Sequence, residues 1–318
     1  MERQSRNLLI TSSPPYIKNG ETVHCLMFDV IIALVPVALF SIYVFGVRSL
    51  WIIFISSMTA VITEGVLQLL LFTKEFNYKT PILSFIKSED ITVTDGSALV
   101  TGLLLAFTLP PTVPYWIPIV GTVVAIALGK LAFGGLGYNI FNPALLGRAF
   151  LLAAWPVYMT TWLAPINADV VTTATPLSMM KEDGQLTPII NLIVGNVSGS
   201  IGETSVVALL LGAAYLFYKR TITWHIPVSY IGTVFVFSLV LGMPAFFHVF
   251  SGGLILGAFY MATDVVTSPC TPKGRIIFGC GAGIITILIR KYGGYPEGVC
   301  YAILIMNAVA PLIDRIKR

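Results

Sequence analysis

Apolar residues fill long blocks of this chain with little polar interruption; the runs 30–45, 51–72 and 201–218 are each long enough, or nearly so, to cross a bilayer. A spanning helix needs about 20 mostly apolar residues. Because a lipid-facing helix is apolar all round, block length carries more information here than helical periodicity. On that basis helices are predicted at 27–45, 49–73, 96–109, 115–132 and 144–158, then at 201–218, 226–241, 248–265, 275–290 and 296–313. A polar tail, 1–26, precedes them, and a polar stretch, 159–200, separates the two sets of five. The expected fold class is an all-α integral membrane protein of about ten transmembrane helices.

The two sets echo each other. Thr108-Leu109-Pro110 followed by Gly134-Gly135, and Thr267-Ser268-Pro269 followed by Gly293-Gly294, recur 159 residues apart in a chain of 318. A unit with an odd number of helices must insert upside down the second time. Residues 27–158 and 201–318 are therefore predicted to form a five-plus-five inverted repeat. Two of the helices look broken: 96–109 ends at Pro110-Pro111, and 248–265 contains Gly252-Gly253 and Gly257. Backbone groups freed at such breaks are tolerated at membrane depth only where they are buried or line a cavity, and they commonly meet ligands or ions.

Composition supports this reading, with 56% hydrophobic and only 11% charged residues. The first 26 residues carry Arg3, Arg6, Lys18, Pro14 and Pro15 where a secretory signal would place its apolar stretch, so they read as an uncleaved cytoplasmic tail. Fourteen cations fall on the side of the membrane that holds both termini, among them Lys74, Lys79, Lys87, Lys130, Lys219, Arg220, Lys273 and Arg275. The opposite side has Arg48, Lys181, Arg290 and Lys291. Cytoplasmic loops are the cation-rich ones, which predicts a multi-pass protein of the cell membrane with both termini in the cytoplasm and 159–200 outside. The net charge of +4 needs no nucleic-acid partner, since membrane topology and anionic lipid account for it. Cys25, Cys270, Cys280 and Cys300 show no CxxC spacing, and the three histidines form no metal-ligand pair, so the cysteines read as buried small apolar residues and no metal site is expected.

Candidate chemistry concentrates in the polar stretch. Asp169-Val170-Val171-Thr172-Thr173-Ala174-Thr175-Pro176-Leu177 resembles the signal read by flavin transferases, which esterify FMN onto the last threonine, here Thr175. A phosphoester needs an accessible hydroxyl on extended backbone, small neighbours such as Ala174, and a polar group such as Asp169 to help hold the modifying enzyme or its metal. An ordinary threonine-rich external loop is the plain alternative.

A second stretch runs from Gly129-Lys130 through Gly134-Gly135-Leu136-Gly137-Tyr138-Asn139-Ile140-Phe141-Asn142-Pro143-Ala144 to Gly147-Arg148-Ala149-Phe150. Together with Asp95-Gly96, Thr108-Leu109-Pro110-Pro111 and Met261-Ala262-Thr263-Asp264, it closely resembles the RnfD and NqrB family of membrane flavoproteins from about residue 25 to the end. The RnfD branch is the better match, because the B subunit of the sodium-pumping NADH:quinone oxidoreductase has a longer amino-terminal extension. Thr173 departs from the pattern, standing where the attachment signal usually has glycine. The resemblance implies a fold like that of urea transporters and a subunit of a ferredoxin:NAD oxidoreductase that couples electron transfer to Na⁺ or H⁺ export. It further implies covalent FMN on the outer side, a noncovalent riboflavin, a flavin transferase for maturation, and the companion subunits RnfA, RnfB, RnfC, RnfE and RnfG. The chain would be an electron carrier rather than a complete enzyme.

Several residues keep two readings. Asn139 and Asn142 can meet the donor and acceptor edge of a flavin or cap the helix that starts at Pro143. Asp95 and Asp264 can form one cation site toward the cytoplasmic side, or cap helices and pair at the interface. Arg148 reads as the structural partner of an acid or carbonyl, and Glu64 as a buried carboxyl, paired or protonated. A channel or transporter for a small solute or ion remains the alternative function, and fold alone does not decide between the two. A third is a passive scaffold whose 159–200 loop goes unmodified.

Overall fold

The computed structural model describes residues 22–72, 95–163, 172–203, 205–295 and 297–315, and of 71, 72, 172 and 173 the backbone alone. Helix α1, Val23–Phe45, is capped by Thr22, whose Oγ1 accepts the Cys25 N–H at 3.3 Å. At about 1.5 Å per residue it is about 35 Å long, enough for a hydrocarbon core of about 30 Å. Helix α2, Val47–Phe72, follows at once because Gly46, at φ 71°, reverses the chain without a Cβ to strain. Tyr43, Leu39 and Leu70 project outward, as an apolar surface meant for lipid requires.

The first half continues with α3, Ser97–Thr108; α4, Trp116–Ala127, extended by a 3₁₀ turn at Leu131–Phe133; α5, Pro143–Ala154; and α6, Pro156–Met159. The second half comprises α9, Val206–Tyr218; α10, His225–Val240; α11, Ala245–Phe250; α12, Leu254–Leu256, which runs into a π turn at Gly257–Met261; α13, Pro272–Tyr292; and α14, Val299–Asp314. Among the described residues, α1, α2, α4 with its extension, and α13 are long and apolar enough to cross a membrane alone, and further apolar helices pack around them. The chain is an all-α, multi-pass membrane protein.

The described residues of the 159–200 stretch carry secondary structure of their own. Strands β1, Trp162–Leu163, and β2, Thr172–Thr173, pair antiparallel and are followed by α7, Pro176–Glu182, and α8, Ile189–Val194. Leu177 and Leu192 bury themselves against Phe247 of α11, fixing this corner to the bundle.

The halves meet like with like: α1 packs on α9, and α5 on α14. Both predicted breaks are present. Helix α3 stops at Thr108, just before Pro110-Pro111, and Gly252 and Gly253, both at φ 66°, separate α11 from α12. At the other end of α3, Gly96 takes φ 82°. The carbonyls at the end of α3 are collected by donors from elsewhere, as a helix end away from water demands. Gly202 N–H donates to Phe107 O at 2.7 Å, Ile201 N–H to Leu109 O at 3.0 Å, and the Arg148 guanidinium to Thr108 O. Residue 202 must be glycine, because a Cβ there would lie 2.4 Å from Phe107. In the second half Asn307 Nδ2 donates to Thr267 O at 3.0 Å. Arg148 and Asn307 are themselves 159 residues apart, as are Thr108 and Thr267, so the sequence spacing that suggested a repeat is shared by the side chains that hold the two breaks.

Candidate functional site

Two cavities occupy opposite ends of the bundle, and the same three parts frame each: a left-handed glycine break, a cation from the end of a fourth helix, and the segment leading into a fifth helix. At the first end these are Gly96, Lys130 and the 139–142 segment. At the second end they are Gly252 and Gly253, Arg290, and Glu297.

The first cavity lies where α1 begins and α9 ends. Its volume is about 80 Å³. Its apolar wall includes Met27, Leu104 and Phe259, and its polar groups include Thr101, Asn139, Asn142, Thr263 and Asp264. Asn142 is committed: Oδ1 accepts from Ala144 N at 3.1 Å and Leu145 N at 3.3 Å, and Nδ2 donates to Met261 O at 3.2 Å. It caps α5 and ties the two halves together. Asn139 spends only its Nδ2, on Phe141 O at 3.2 Å, and its buried Oδ1 has no hydrogen-bond partner. An orphaned buried acceptor on a cavity wall calls for a donor in the cavity.

Beside this cavity runs a buried ionic chain. Lys130 Nζ meets Glu64 Oε1 at 2.6 Å and Ser97 Oγ at 2.5 Å, and Ser97 donates in turn to Asp95 Oδ1, from Oγ at 2.5 Å and from N at 2.8 Å. Glu64 is thus a buried, paired carboxylate. Asp95 lies just ahead of the Gly96 N-cap of α3 and holds Ser97, whereas Asp264 lines the cavity and accepts from Thr267 Oγ1 at 3.0 Å. Of the two aspartates expected to share a cation site, Asp264 is among the wall residues and Asp95 is not.

The second cavity is smaller and more charged. Arg148 pairs with Glu297 across the halves, and Glu203 and Glu297 line the same small voids as Thr108, Gly252 and Thr175. Glu203 Oε1 sits so close to Gly253 that a Cβ there would approach it to 2.4 Å. Arg290 donates to His248 O, to Ser251 O at 2.9 Å and to Glu297 O at 3.0 Å, so it closes the end of α11. Counted as a membrane-end cation from the sequence, Arg290 is a buried clamp, and so is Lys130. Neither therefore reports on topology.

Thr175 stands at the outer edge of this cavity. Its backbone is extended (φ −68°, ψ 157°), as an acceptor site requires, but the residue is only 7% exposed. Oγ1 caps α7, accepting from Ser178 N at 3.2 Å and sharing a hydrogen bond with Ser178 Oγ at 3.0 Å. The hydroxyl expected to be accessible belongs to a buried residue that lines a void of about 20 Å³, room for about one water. A groove of about 550 Å³, lined by Ala174, Met179, Gln185 and Asn196, lies on the far side of Pro176. Thr175 lines the small void and is not among the residues that line the groove, so acceptor chemistry and local room disagree. Asp169 lies outside the described residues, and of Thr172 only the backbone is described, in β2. Of the four cysteines only Cys300 is buried, with Sγ 3.4 Å from Leu145 O; Cys25 and Cys270 are exposed and Cys280 is half-buried.

Glu203, Glu297 and Arg290 were not legible as site residues. Each looks like an ordinary charge beside an apolar run, and the one available signal was proximity to the Gly-Gly break.

Comparison with known proteins covers nearly the whole chain. The D subunit of the Na⁺-translocating ferredoxin:NAD⁺ oxidoreductase complex of Acetobacterium woodii is 48% identical, over 98% of this chain and 94% of its own length. Its counterpart in the proton-translocating ferredoxin:NAD⁺ oxidoreductase complex of Clostridium ljungdahlii is 44% identical, over 98% and 95%. The corresponding protein of the ion-translocating oxidoreductase complex of Yersinia enterocolitica is 35% identical, over 95% of each. The model of the NQR2, RnfD, RnfE family matches residues 10–318, and with these relatives it establishes that the chain belongs to that family.

Proposed function

We propose that this chain is the membrane electron-transfer subunit of an ion-translocating ferredoxin:NAD oxidoreductase, with FMN esterified to Thr175 and a second, noncovalent flavin, riboflavin, in the Asn139 cavity. The observation that carries the reading is the near-full-length similarity to relatives named as the D subunit of such complexes. The geometry supports it by placing the attachment signal and the Asn139 cavity at opposite ends of one bundle. Flavin, when bound, accepts electrons singly or in pairs, which suits a carrier between one-electron and two-electron partners.

The residues of the first cavity fit a flavin ring. Asn139 Oδ1 would accept from a ring N–H, and the Met27, Leu104 and Phe259 side chains would cover the ring faces. The Lys and Arg bias supports placing the termini in the cytoplasm and the Thr175 corner outside even without Lys130 and Arg290. The companion subunits RnfA, RnfB, RnfC, RnfE and RnfG, and the coupling to Na⁺ or H⁺ export, belong to the same proposal, as does a flavin transferase for maturation.

Denaturing electrophoresis of the chain coexpressed with a flavin transferase tests the attachment. A fluorescent flavin band is expected, absent from Thr175→Ala; no band from the parent chain refutes covalent FMN. The broken helices favour a second reading, a channel for a small solute or ion, which solute uptake by flavin-free protein in liposomes would support.

A further inference from the structure

The attachment proposed for Thr175 conflicts with the way the folded corner holds that residue. Esterification requires Thr175 Oγ to attack the phosphorus of a pyrophosphate-linked flavin dinucleotide. A P–O bond to Thr175 forms, the P–O bond to the departing AMP breaks, and the hydroxyl proton passes to a base on the modifying enzyme. The attacking oxygen must therefore be reachable and its lone pairs free. In the folded chain Oγ1 accepts from Ser178 N and is held in a further hydrogen bond with Ser178 Oγ, in which either hydroxyl can donate, and only 7% of the residue is exposed.

The corner is also fastened on both sides of Thr175. Ser198 Oγ donates to Ala174 O at 2.7 Å, and Leu177, 2% exposed, is wedged against Gly252 so tightly that a Cβ at 252 would come within 2.2 Å of it. A protein catalyst that must wrap an extended segment finds no purchase there.

We infer that Thr175 is modified only while the 174–178 corner is detached from the bundle, with Leu177 and Ser198 acting as the latch that ends the period of modification. This inference rests on the attachment reading of Thr175. Folding and flavin transfer then compete for the same segment. Once Leu177 has docked, an unmodified chain stays unmodified.

The test uses the full-length chain, made without a flavin transferase, folded in lipid nanodiscs, and then given purified transferase and flavin dinucleotide; in-gel flavin fluorescence is followed in time. Leu177→Ala and, as a milder change, Ser198→Ala are compared with the parent and with the parent coexpressed with transferase. The coexpressed parent should be fully flavinylated and the prefolded parent slow, with Leu177→Ala at least tenfold faster than the prefolded parent and Ser198→Ala intermediate. If the prefolded parent is modified as fast as Leu177→Ala, or as fast as Ser198→Ala where Leu177→Ala fails to fold, the latch is wrong while the attachment stands. If no chain acquires flavin, the coexpressed parent included, the attachment reading fails and the latch with it.

Discussion

Arg148 offers a sharp test of how the break after α3 is held. Changing it to methionine keeps the helix propensity and the apolar stem but strands the Glu297 carboxylate and removes the side-chain donor from Thr108 O. Removing one partner of a buried ion pair costs about 3–5 kcal/mol, and a buried carbonyl left short of a donor costs about 1–3 kcal/mol. The two losses share one guanidinium and overlap, so a total of about 3–5 kcal/mol is expected, against a whole-domain stability of about 5–15 kcal/mol. Arg148→Met with Glu297→Gln removes the stranded charge and should recover about 2 kcal/mol. Arg148→Lys keeps the charge but offers no planar fork to serve two acceptors, and should fall between parent and Arg148→Met. Denaturant unfolding in detergent, followed through the five tryptophans, measures all four chains. Arg148→Met within about 0.5 kcal/mol of the parent, or a double variant less stable than the single, would refute the clamp.

Other expectations follow from the first cavity. Asn139→Leu should lower the riboflavin recovered from purified protein by roughly tenfold, the value of about one good polar contact, and leave the covalent flavin band intact. Lys130→Met alone should destabilise by about 3–5 kcal/mol, and the double variant with Glu64→Gln by markedly less, again by denaturant titration. Asp264→Asn, on the cavity wall, should impair ion-coupled turnover in vesicles more than Asp95→Asn, which changes the hold on Ser97; equal effects would remove the distinction.

Much of the architecture was readable because membrane helices announce themselves by length. The predicted helix at 27–45 and the observed α1 at Val23–Phe45 differ by four residues at one end, and Pro110-Pro111 and Gly252-Gly253 marked the breaks correctly. What stayed hidden depends on which backbone groups need a donor. Arg148 and Asn307 do the same work 159 residues apart, but their side chains differ, so comparison of residue types missed the match. Thr175 was read from its neighbours as open, whereas its burial comes from Leu177, Ser198 and the Gly252 break, contacts between segments far apart in sequence. Asn142 as a cap was legible from Asn-Pro alone; the orphaned Oδ1 of Asn139 was not.

An upside-down duplication, taken as bare backbone, has no top or bottom: rotate it by half a turn and it lies on itself. Direction, which any vectorial process across a membrane requires, must then come from side chains that spoil the match. Here the spoiling is concentrated. The cavity beside α3's start presents the amide of Asn139, the carboxyl of Asp264 and the ammonium of Lys130, already paired with Glu64, while the cavity by the Gly252 break is packed with Arg148, Arg290, Glu203 and Glu297. A handful of substitutions in matched places is enough to make a symmetric scaffold tell one face of the membrane from the other.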